Sequence, residues 1–238
     1  MTTLIAAVRS VLTYIVVSLY VLIAGPIALA IGVPLKNKTA LYVPGRLGVR
    51  LALGCAGIRY RVRGARPAGD RAVVFCANHE SNVDPPVLFL ALHQRLHVLF
   101  KAELTKLPIL GTVMVAGGFV PVDRDKREAS MASIERAAAS IREGNSFLIF
   151  PEGTRSKTAE LLPFKKGGFI MAIKAQAPIV PVAVSGGRNA MRKGSWVVRP
   201  VLVDVRVGDP IETSGMTLEQ RDDLIEIVRA RIEGLRRL

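Results

Sequence analysis

The stretch SVLTYIVVSLYVLIAGPIALAIGVPL, from Ser10 to Leu35, carries no charged side chain. About 20 apolar residues are enough to cross a bilayer core as one helix, so the segment is long enough to attach the chain to a membrane. Gly25-Pro26 and Gly32-Val33-Pro34 interrupt it, which predicts either a kinked span or a hairpin that dips into one leaflet. A secretory signal with Arg9 as its basic region is the competing reading. The apolar run is unusually long for one, and the basic residues after it argue for retention. Lys36, Lys38, Arg46 and Arg50 follow the run, against Arg9 and the amino terminus before it, and this bias leaves the main domain facing the cytoplasm. In the next stretch, LYVPGRLGVRLALGCAGI, Arg46 and Arg50 are four apart and share a helical face, which suits a helix among lipid headgroups. Residues 1–57 are thus expected to form membrane-anchoring helices, with one larger domain over 58–238.

Beyond residue 58, short apolar runs alternate with longer amphipathic ones. IRYRVRG, AVVFCAN, HVLFKA, GGFVPVD, SFLIF, PIVPVAV and VVRPVLVDVRVG read as strands. Residues 85–93, 102–113, 127–143, 166–176 and 217–237 read as helices. In the third of these, Met131, Ile134, Ala138 and Ile141 fall on one face and Gly144 closes the segment. The last begins at Thr217 and ends in basic residues, in keeping with the helix dipole. Such alternation predicts an α/β fold: a central, mostly mixed β-sheet flanked by helices.

Composition narrows the partners. Lys and Arg outnumber Asp and Glu by 33 to 19, a formal charge of +14, while half of the 238 residues are hydrophobic. The surplus suits polyanions: anionic lipid headgroups, phosphorylated substrates or nucleic acid. Aromatic content of 5% and the lack of helix-turn-helix or zinc-finger spacing weigh against nucleic acid. Cys55 and Cys76 read as small buried hydrophobes in a reducing compartment. His93 and His97 are four apart without an acidic companion and read as a partly exposed helix end and strand start. No metal site is assigned.

Two strand ends carry the candidate chemistry. AVVFCAN delivers Asn78 and His79 to its C-terminal end, where open α/β sheets bind ligands. Asp84 follows within NHESNVD, close enough for its carboxylate to fix the tautomer of a proton-accepting imidazole. The spacing alone also fits a helix-capping Asp beside a structural His. The second end, FPEGTRS at residues 150–156, offers Gly153 amides, the Thr154 hydroxyl and the Arg155 fork, a combination that suits a phosphate. There is no Gly-X-Ser-X-Gly elbow and no P-loop.

NHESNVD followed about seventy residues later by FPEGTRS resembles the glycerolipid acyltransferase family, in particular its 1-acyl-sn-glycerol-3-phosphate acyltransferases. KAELTKLPILGTVMVAGGFVPVDR, with Lys101, Glu103, Pro108, Gly111, Gly118 and Arg124, is similar to the family's second block, and APIVPVAVSG, with Pro181, to its fourth. The likeness covers most of residues 60–210. It implies transfer of a fatty acyl group from acyl-CoA or acyl-carrier protein to the sn-2 hydroxyl of a lysophosphatidic acid, giving phosphatidic acid, with no resident cofactor. It further implies His79 as general base, oriented by Asp84. Glu152, Gly153, Thr154 and Arg155 would hold the acceptor phosphate, joined by Arg124; Lys101 would either help bind it or be a surface lysine at a strand end. Glu152 is expected to orient an arginine or bond an acceptor hydroxyl. LTKLPILGTVMVAGG is apolar enough to line an acyl groove or to be helix core. Rival expectations are another acceptor, such as glycerol 3-phosphate or a larger lysolipid, and a non-catalytic protein that binds anionic lipid.

Overall fold

The computed structural model describes residues 3–64, 71–93, 95–123, 127–158 and 160–238. Seven strands form one sheet in the order β1-β7-β6-β2-β5-β3-β4. They are β1 (Arg59–Arg63), β2 (Val74–Ala77), β3 (Leu96–Lys101), β4 (Val120–Val122), β5 (Ser146–Ile149), β6 (Ile179–Ser185) and β7 (Leu202–Val207). All neighbours are parallel except β6 and β7, so β1 and β7 run against the other five. The expected mixed sheet is present, with helices on both faces.

Alternation along the strands sends side chains to opposite faces. Phe75, Leu148, Val180 and Val182 meet Leu53 of α2 (Thr39–Ala56) and Leu88 of α3 (Asp84–Ala91). Val74, Phe147 and Ile179 meet the other face, covered by α5 (Arg127–Arg142), α6 (Gly167–Ala175) and α8 (Arg221–Arg237). β2, β5 and β6 are buried nearly throughout, which explains their unbroken apolar sequence. α5 turns Ile134, Ala137, Ala138 and Ile141 inward, and Met131, expected with them, is exposed. Gly144 closes its end by donating to Ile141 O at 2.9 Å.

Two expected elements are shorter than their hydrophobic runs. The strand expected from Val197 begins only at Leu202, because Pro200 has no N–H for the ladder. The helix expected over 102–113 splits into a 3₁₀ turn (Ala102–Lys106) and α4 (Leu110–Ala116). Pro108 forces Leu107 into extended backbone and ends the first piece. A single-turn helix, α7 (Gly187–Ala190), was not expected.

α1 (Thr3–Gly32) is continuous through Gly25-Pro26 and packs along α2. Tyr20 OH donates to Pro44 O at 2.8 Å. α1 does not project from the domain. Val198 N–H donates to Ser10 Oγ at 2.7 Å, and Ile109 presses on Gly25 so closely that a Cβ there would lie 2.3 Å from its side chain. These two contacts are about 22 Å apart along the helix at 1.5 Å per residue. The outward side carries Leu4, Val8, Leu12, Leu19, Leu22 and Ile23, all exposed. Leu104, Leu107, Leu110 and Val115 are exposed as well, so the segment expected as groove or core presents apolar side chains outward.

Candidate active site

β2 ends at Ala77, and the next residue continues the ladder with its side chain. Asn78 Nδ2 donates to Val184 O at 2.9 Å, and Val184 N–H donates to Asn78 Oδ1 at 2.7 Å. The backbone is thereby released to turn, and His79 stands at the strand's C-terminal end. Its Nδ1 lies 3.0 Å from Asp84 Oδ2. The same oxygen accepts the Glu80 and Ser81 N–H groups at 2.7 Å each, so Asp84, fully buried, is locked before it meets the imidazole. Oδ1 faces Gly187, where a Cβ would come within 2.3 Å; a side chain there would push the carboxylate off the histidine. His79 keeps 15% of its side chain accessible and stacks on Phe150 with ring centroids 4.3 Å apart. This arrangement fixes Nδ1 toward the acid and leaves Nε2 to accept a proton.

The FPEGTRS turn lies beside this histidine. Glu152 is buried, and both its oxygens are committed: Oε1 accepts His79 N–H at 2.7 Å and Oε2 accepts Leu162 N–H at 2.9 Å. Ser156 N–H donates to His79 O at 2.8 Å. The carboxylate therefore grips the histidine backbone, and the charge of Arg236 acts on it as well. Burial pushes the Glu152 carboxyl above its ordinary range, against the pull of the two amides. Glu80 is also raised, by burial and then by the nearby Asp84 charge, and Arg236 of α8 lies 3.5 Å away.

Gly153, Thr154 and Arg155 follow on the outer side of the turn. Lys193 Nζ donates to Thr154 Oγ1 at 3.0 Å and to Arg155 O at 3.1 Å. The Lys165 side chain lies against Gly153. Arg188 Nη1 donates to Lys157 O at 3.3 Å. None of these three cations was singled out from the sequence. Lys193 is 39 residues from Thr154, and no local pattern joins them. Lys101, at the end of β3, is half exposed and pairs with Glu103 at 2.7 Å. Arg124 lies outside the described residues. A cavity of about 160 Å³ opens among Leu99, Val122, Ile149, Phe150, Gly153 and Lys165. Among the described residues no cluster of His, Cys, Asp and Glu could hold a metal ion.

His97, read from sequence as partly exposed, is buried instead. Tyr42, Phe119 and Phe147 surround it at centroid distances of 6.1, 6.4 and 5.2 Å, and burial pushes its pKa down to about 4.

The chain is 33% identical over 187 residues to a 1-acyl-sn-glycerol-3-phosphate acyltransferase of Cocos nucifera, covering 78% of this chain and 60% of that protein. It is 34% identical over 172 residues to the human 1-acyl-sn-glycerol-3-phosphate acyltransferase beta, covering 71% and 62%. The match thus spans about three fifths of these relatives' length. The crystal structure of the 1-acyl-sn-glycerophosphate acyltransferase PlsC from Thermotoga maritima superposes with a TM-score of 0.83 at 24% identity, over 99% of this chain and 98% of that one, and establishes the shared fold. The Acyltransferase family model matches residues 59–185, from β1 to the end of β6. With His79, Asp84 and the FPEGTRS turn all inside the matched span, the chain belongs to the acyltransferase family.

Proposed function

We propose that the protein transfers a fatty acyl group from acyl-CoA or acyl-carrier protein to the sn-2 hydroxyl of 1-acylglycerol 3-phosphate, giving phosphatidic acid. The observation that carries the reading is the Asp84–His79 pair, locked by two amides on one side and open to solvent on the other. The names of the coconut and human relatives support the acceptor.

His79 Nε2 takes the proton of the acceptor hydroxyl as its oxygen attacks the thioester carbonyl, and Asp84 stabilises the imidazolium that forms. The tetrahedral oxyanion collapses, the C–S bond breaks, and the leaving thiolate recovers the proton from His79. The scheme uses neither an acyl-enzyme nor a resident cofactor. The acceptor phosphate binds at Gly153, Thr154 and Arg155, with Lys101 and Arg124 adding charge, and Lys193 and Lys165 extend that basic rim. Glu152 acts as a positioning residue for His79, since its oxygens are already taken by backbone amides.

α1 lies along the domain with its apolar side outward, which favours embedding in one leaflet over a free span. The excess of Lys and Arg after the apolar run favours the cytoplasmic leaflet.

The test is thiol release from acyl-CoA, and from acyl-carrier protein, with and without lysophosphatidate in mixed vesicles, beside glycerol 3-phosphate and larger lysolipids. Release that requires lysophosphatidate, with acyl chain recovered at sn-2, is expected. Release with another acceptor alone changes the substrate, and no release with any acceptor overturns the catalytic reading.

A further inference from the structure

Trp196 is the chain's one tryptophan, and it is 54% exposed. It sits in the loop between α7 and β7, closed at its neck by Arg199 N–H donating to Ala190 O at 2.8 Å. Three bonds staple the loop to α1: Val198 N–H to Ser10 Oγ at 2.7 Å and Ser10 Oγ to Val198 O at 3.3 Å, both buried, and Tyr14 OH to Trp196 O at 2.7 Å. Tyr14 itself is exposed beside Val11 and Ile15, so the Trp196 residue continues the apolar outer side of α1. From Gly187 to Val203 the chain carries Arg188, Arg192, Lys193 and Arg199 and no acidic residue. An indole at the edge of an apolar surface, flanked by cations, is the chemistry of a headgroup–acyl boundary.

The other side of the loop reaches the site. Lys193 bonds Thr154 Oγ1 and Arg155 O. Through Ser10, Val198 and Lys193, α1 is tied to the turn that receives the acceptor phosphate.

We propose that residues 191–198 form a second membrane-contact element. Trp196 seats in the headgroup–acyl boundary of an anionic leaflet, and Arg192 meets lipid phosphates. Through Lys193, the loop holds the Thr154–Arg155 turn at the depth of those phosphates. A lysophosphatidate then presents its phosphate to the turn without leaving the leaflet. The inference rests on reading α1 as embedded in one leaflet.

Its test uses the native protein, because Trp196 is its own probe. The protein is reconstituted into phosphatidylcholine vesicles containing phosphatidylglycerol, with lipids brominated either near the headgroup or near the chain end. Flotation reports attachment, and tryptophan quenching reports depth. Attachment with strong quenching by the shallow bromines, weaker quenching by the deep ones and protection from aqueous iodide is expected. In addition, Arg192→Gln should weaken partitioning into anionic vesicles by about fivefold, and into neutral ones hardly at all. Attachment with Trp196 unquenched by either lipid and open to iodide overturns the loop's role and leaves α1 as the anchor. Quenching strongest at the chain end overturns the boundary placement. Failure to float overturns the membrane reading itself and this inference with it.

Discussion

His79 and His97 belong to strands of one sheet separated only by β5, yet their surroundings are opposite. His79 stands past the end of β2, where strand order lets helices and loops part, and it meets a carboxylate on one side and solvent on the other. His97 lies inside β3, enclosed by Tyr42, Phe119 and Phe147 and pressed by Gly118. The first keeps one ring nitrogen on the carboxylate and part of its ring open to solvent. The second is kept neutral by burial. Position along a strand, and not residue type, separates an acid-paired imidazole at the surface from a packing ring.

The sharpest way to break that comparison is substitution at both places. His79→Ala is expected to lower kcat by about 10³-fold, within the 10²–10⁴ range of a general base, with the fold kept. His97→Gln should leave kcat close to wild type once the folded fraction is matched. Steady-state thiol release beside a circular-dichroism melt measures both, and an equal loss at the two positions would erase the distinction.

The pH dependence of stability sharpens it next. Below about 6.5 the unfolded His97 takes a proton that the folded one refuses until about 4. Stability should therefore fall as pH drops through that window, by about 3 kcal/mol in all, and then level off. Denaturant unfolding in detergent between those pH values checks it, and His97→Gln should remove this part of the slope.

Glu152→Gln probes what holds His79 in place. It turns one amide-facing oxygen into a donor and should lower kcat about tenfold with KM for lysophosphatidate unchanged. A rise in KM at constant kcat would instead put Glu152 on the acceptor. The smallest effect is expected at Lys193→Gln, about a threefold rise in KM, from one hydrogen-bonded cation at an exposed turn.

Much of this was legible in the chain. β2 and β5 appear at their runs because buried parallel strands need unbroken apolar sequence, and NHESNVD and FPEGTRS follow them because polar side chains interrupt an apolar run only where the strand ends and turn backbone can bond them. What could not be read depends on contacts far apart in sequence. The seating of β7 between β1 and β6, the grip of Glu152 on His79 N–H and the reach of Lys193 to Thr154 are set by tertiary closure. The run from Val197 misled because its apolar residues masked Pro200, and His97 misled because sequence shows neither Phe119 nor Gly118 above it.

The sheet's edge also sets the order in which the molecule can be made. β1 is the first strand to be synthesised, but its ladder partner is β7, about 140 residues later in the chain. Until β7 arrives, residues 59–63 must wait on the growing chain as an unpaired strand, the state most open to wrong pairing. Their sequence, RYRVR, places a positive charge at every second position. Repulsion between like strands keeps the waiting segment from its copies on neighbouring nascent chains. When β7 arrives, Asp204 pairs with Arg61 and Arg63 at 3.0 and 3.3 Å, and the charges that guarded the open edge become the clasp that closes it.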